Sequence, residues 1–171
     1  MPSNIAPGDE LDEVAVEPLP DVLAWADDFN RADGALGNTS TGGLTWAAAG
    51  VGAFGIESNR AGVTTTGSGS GYATIDSGAS RTLLDITVIT QEAAYAGVTF
   101  RFVDASNNYV LARVAAGTQN YRLVKRVANV ATDVAVSTVP MASGDRIVVD
   151  DRVIGALKVS VFKGATEHII F

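Results

Sequence analysis

Asp27, Asp28, Asn30 and Asp33 stand within seven residues, inside the run "DDFNRADGALGNTSTGGLTW" that extends to Trp46. Clustered hard oxygens of this kind are what calcium takes as ligands. The spacing is not that of an EF-hand: the third ligand position holds Ala32, and Gly34 falls one place late. The other use of such residues is local. Asp and Asn side chains accept from backbone amides two positions on and so build capped turns. The run therefore reads as the polar loop that leads out of a first strand, with the four residues as a calcium set if a metal is bound. No other cofactor is expected.

Other candidate chemistries are thinner. The chain has one histidine, His168, so a multi-histidine metal site is excluded, and no nucleophile elbow accompanies it. A glycosidase needs two carboxylates facing one cleft. Asp150 and Asp151 are consecutive, and neighbours on a strand point to opposite faces. The glycines of "TTTGSGSGY" (64–72) lack the Gly-Lys-Ser/Thr ending of a phosphate loop. The expectation is that the protein is not an enzyme. Tyr72, Tyr95, Tyr109 and Tyr121 are the candidate glycan contacts, because a tyrosine ring offers an apolar face beside a polar hydroxyl.

The elements that must position these residues follow from alternation. "YATID" (72–76), "TLLDITVITQ" (82–91), "AGVTFRFVD" (96–104), "NYVLARVA" (108–115), "YRLVKRV" (121–127), "DVAVSTV" (133–139), "DRIVVDD" (145–151) and "ALKVSVFKG" (156–164) repeat apolar residues at period two. In the third of these, Val98, Phe100 and Phe102 share a face, and Thr99 and Arg101 turn outward. The connectors "DASNN", "AAGTQN" and "GATEH" are hairpin material. No window carries a helical stripe. The candidate core is Trp46, Phe54, Ile56, Ile75, Leu84, Ile86, Val88, Val98, Phe100, Phe102, Val110, Leu123, Ile147, Val149, Val159 and Val161.

Charge divides the chain. Residues 1–30 hold eight acids and no Lys or Arg, whereas the rest holds eleven acids and all twelve bases, for a net charge of −7. Four of the five prolines fall in residues 1–24, so residues 1–25 read as an acidic extended arm, either a free tail or an anchoring peptide. The body carries no basic stripe, which excludes nucleic acid as the expected partner. The absence of cysteine excludes disulfides and zinc–thiolate sites. No apolar run is long enough to span a bilayer, and the first twenty residues lack the features of a secretory signal.

"DDFNRADGALGN" followed by "LTW", together with 96–114, 121–127 and 143–164, resembles a concanavalin A-like, laminin G-like jelly roll. Such domains recur in virion proteins of phages that infect actinobacteria. The resemblance covers residues 26–171. It implies an all-β, two-sheet antiparallel jelly-roll sandwich behind the arm. It also implies a virion structural protein, a minor tail or capsid-surface component made in the host cytoplasm and joined to other virion subunits by its arm. The alternative that it implies is a carbohydrate-binding module that attaches to host cell-wall glycans. The Glu-x-Asp-x-x-Glu motif of laminarinase-like relatives is absent, so hydrolysis is not implied. Relatives continue through a further strand beside the first. Without it, the sheet ends in an open edge at "DDFNR", and three readings stand: a fragment, a strand supplied by a neighbouring copy, or a minimal sandwich.

Overall fold

A computed structural model describes residues 25–50, 52–65, 71–79, 82–87, 97–113, 120–153 and 155–171, with backbone alone at 65 and 109–113. The arm up to residue 24, Tyr95 and Val88 lie outside the described residues.

The chain is all-β, as the alternation predicts. The two-sheet jelly roll is not what forms. The described strands fall into four separate open sheets. A small sheet joins β1 (Gly34–Ala35), β3 (Ala53–Ile56) and β4 (Ala61–Thr65) in the order β1-β3-β4. A two-stranded sheet pairs β2 (Trp46–Gly50) with β5 (Gly71–Ile75). One four-stranded sheet runs β10-β9-β8-β7, from β7 (Gly97–Asp104), β8 (Asn107–Arg113), β9 (Asn120–Val127) and β10 (Val130–Pro140). The other runs β13-β12-β11-β6, from β6 (Leu83–Thr87), β11 (Arg146–Val153), β12 (Ala156–Lys163) and β13 (Thr166–Ile169).

The reason for four sheets lies in the first third of the chain. The expected leading strand does not form over 27–33. Among the described residues single bridges flank that segment, Ala26 to Thr41 and Asn38 to Thr45, and the two residues of β1 pair with β3. Between β2 and β3 the backbone turns left-handed at Gly50 (φ 81°) and Gly52 (φ 96°), which redirects the chain into a separate ladder. One contact in the small sheet demands glycine. A Cβ on Gly55 would lie 2.5 Å from the Gly34 carbonyl oxygen.

The two larger sheets share one core. Val98, Phe100, Tyr121 and Leu123 pack with Ile147, Val149, Val159 and Val161, and Met141 closes the cluster. The predicted alternation holds best on β9 and β11, whereas on β12 Ser160 is buried along with Val159 and Val161. Ile86 departs from it at 39% exposed, because β6 is an edge strand with a neighbour on one side only. Trp46, Phe54, Ile75, Leu84 and Phe102 are half-buried, not central.

Two buried aspartates tie the larger sheets together, one at each end of β11. Asp145 accepts from the Tyr121 hydroxyl at 2.8 Å, from the Ala142 amide at 2.7 Å and from Lys163 Nζ at 3.0 Å. Asp151 accepts from Arg101, with Nε at 2.7 Å and Nη2 closer still. Arg101 is thus not turned away from the facing sheet. The register of β7 against β8 slips between Phe100 and Asp104, and Arg101 itself sits at φ 47°, so a bulge redirects its side chain. Asp150 and Asp151 do part to opposite sides. Asp150 pairs with Arg152, while Asp151 is 4% exposed.

Candidate functional site

The Asp27–Trp46 run forms a closed latch. Asp27 accepts from Arg31 Nη1 at 2.6 Å, Arg31 Nη2 at 2.9 Å, Trp46 Nε1 at 2.6 Å and the Phe29 amide at 3.0 Å. Burial alone would raise this carboxyl. The hydrogen bonds from Arg31, Trp46 and Phe29 and the Arg31 charge outweigh it and hold Asp27 below the usual aspartate range. Phe29 lies at φ 54°, between the Trp46 ring and the Arg31 guanidinium, each centred 5.7 Å away. Arg31 also donates to the Leu36 carbonyl, and the Trp46 amide donates to Gly37 at 2.9 Å. Asp27, Phe29, Arg31 and Trp46 therefore each contact another of these four residues.

The other members of the calcium set are used separately. Asp28 accepts from the Asn30 amide at 3.0 Å, and Asp33 from the Ser58 amide at 2.8 Å, across to the β3–β4 turn. Among the described residues no three acid, histidine or cysteine side chains gather as a metal would need. The capped-turn use is the one the geometry displays.

Two of the four tyrosines have described side chains, Tyr72 and Tyr121. Tyr121 is fully buried, and its hydroxyl is spent on Asp145. Burial raises its pKa above the ordinary value, and the Asp145 hydrogen bond and charge add to the shift. Tyr72 is 7% exposed and packs its ring 5.2 Å from Phe102. Both rings are thus largely covered by the body in this fold. Tyr109 is placed on β8 by its backbone alone, and Tyr95 lies outside the described residues. His168 is on β13 opposite Val161.

A surface that single-residue reading passes over is the outer side of β10. Among the described residues it ends its sheet, with β9 as its hydrogen-bonded neighbour. It is eleven residues long, with Val130 66% exposed and Val136 58% exposed. Val134, at a slip in register, lines a shallow cleft of about 230 Å³ with Arg101, Gly155, Leu157 and Phe171. Sheet edges are commonly blunted by Lys, Pro or bulges. Here the register slips twice and the strand closes on Pro140, but Asp133 is its single charge. The available signal in sequence was "DVAVSTV", a period-two run with few charges.

Comparison with protein-family models, with curated proteins and with solved structures finds no match to this chain.

Proposed function

We propose that this chain is a non-catalytic structural component of a larger protein assembly, and that the assembly is a phage virion, with the chain as a minor tail or capsid-surface subunit. The observation that carries the reading is the long edge strand β10 with its exposed valines, in a chain whose described strands form four open sheets. An open edge with exposed valines is a template for another chain. The phage setting comes from the sequence resemblance alone. In this reading the acidic residues 1–25 would serve as the tether to neighbouring subunits.

The glycan-binding alternative draws less support, because Tyr72 and Tyr121 are buried. The direct test is mass spectrometry of particles purified from a lysate in which the gene is expressed. The chain should copurify at a constant ratio to the major capsid or tail subunit, and a chain lacking residues 1–24 should be lost from the particles. Recovery of the chain only in the soluble fraction would refute the reading.

A further inference from the structure

We infer that the cleft of Arg101, Val134, Gly155, Leu157 and Phe171 seats one aromatic side chain of an extended segment from another chain, which adds as a strand along β10. The inference rests on the assembly reading above and names the chemistry of the partner.

The cleft stands where three departures from regular pairing meet. β7 slips against β8 between Phe100 and Asp104, with Arg101 at φ 47°. β10 slips against β9 between Asp133 and Ala135, at Val134. β11 slips against β12 between Asp150 and Val153, just ahead of Gly155 at φ 77°. Bulges re-aim side chains. Here they lie at or beside three of the residues that line one cleft.

The walls select the guest. The cleft holds about 230 Å³. That is below the roughly 300–1,000 Å³ of small-molecule sites, so it suits a single side chain. Val134, Leu157 and Phe171 are apolar. Arg101 donates to Asp151 through Nε and Nη2, and Asp151 is buried, while Arg101 keeps 38% of its side chain exposed. The guanidinium is thus fixed in place, with its charge met inside the protein. An acidic guest would compete with Asp151, and a basic guest would meet the guanidinium. A neutral ring gains from both kinds of wall, by apolar contact and by stacking on a guanidinium face.

The edge delivers the guest. Val134 belongs to β10, which ends its sheet among the described residues. A strand added to an edge takes affinity from main-chain hydrogen bonds and specificity from pockets for alternate side chains. Ala135 stands opposite Leu123, and both pack in the core, so one face of β10 looks toward the facing sheet. Every second side chain of an added strand, about 4.8 Å away, projects on that same side. Leu157 and Phe171 complete the cleft there.

The test is titration of the full chain, followed by amide NMR, with the peptide acetyl-Lys-Thr-Val-Phe-Val-Thr-Lys-amide and its twins with Thr or Leu in place of Phe. The Phe peptide should shift the amides of 130–137, Gly155 and Leu157. The Thr twin should bind about tenfold or more weakly, the worth of one buried ring. The Leu twin should bind about two- to fivefold more weakly, for want of the guanidinium contact. Val134→Lys, at an exposed site, should bring the Phe peptide down to the Thr twin. Equal binding of the Phe and Thr peptides, binding of neither, or shifts confined to other strands overturns the inference, and these readouts need no substituted protein. The assembly reading fails separately. A chain that binds the Phe peptide as expected but is missing from particles would uphold the cleft and refute the virion role. A chain present in particles that treats the peptides alike would do the reverse.

Discussion

At the scale of single residues, the buried aspartates decide more than the exposed ones. Asp145 is 3% exposed and has three partners, Tyr121, Lys163 and the Ala142 amide. Removing it leaves a lysine and a phenol facing a void. Breaking a buried pair in this way costs about 3–5 kcal/mol. Asp145→Ala should lower stability by that order in chemical denaturation, and a loss under about 1 kcal/mol would mean that the network is not formed. Asp27 gives a pH prediction. Its folded pKa lies below the usual value of about 3.9, so the folded state binds fewer protons there than the unfolded state does. Its contribution is therefore complete above about pH 4 to 5 and is lost as pH falls through the folded value. Asp150, held down by Arg152, acts in the same direction. The stability gap between the native chain and Asp27→Asn should narrow steadily below about pH 4 in acid titrations. The sequence made Asp27 conspicuous but not its partners. Trp46 is nineteen positions away, and its indole proton could be assigned to Asp27 only once the chain had turned back. Tyr121 was legible in part. It shares a face with Leu123 by alternation, and that face is the core.

At the scale of elements, alternation located strands and their inner faces but not their partners. The β9, β11 and β12 faces came out as the pattern required, with Leu123, Ile147, Val149, Val159 and Val161 all fully buried. Period two says nothing about which strands pair or where one sheet stops. The left-handed backbone at Gly50 and Gly52 separates β2 from β3, and the bulge at Arg101, whose residue type gave no warning, redirects a side chain within one sheet. The junction of β1 with β3 gives the prediction proper to this scale. Gly55→Ala sets a methyl group 2.5 Å from the Gly34 carbonyl, and the obstacle is backbone, not a side chain that can swing away. Such overpacking costs about 1–3 kcal/mol. A lowered midpoint in denaturant with unchanged slope is the expected result, and a neutral substitution would place β1 away from β3.

At the scale of the whole molecule, charge divides the sequence into an acidic first thirty residues and a near-neutral remainder. What composition could not show is that the described strands leave open edges and that the longest of these strands has exposed valines and a single charge. A protein with such an edge associates unless something covers it. The most direct test is sedimentation velocity of the full chain across a range of concentrations, in parallel with Val130→Lys/Val136→Lys. Both side chains are exposed, so the substitution should shift fold stability by no more than about 0.5 kcal/mol per site. The account predicts that the native chain shifts to larger species as concentration rises and that the lysine variant stays smaller under the same conditions. A native chain that sediments as a monomer throughout, indistinguishable from the variant, would contradict it.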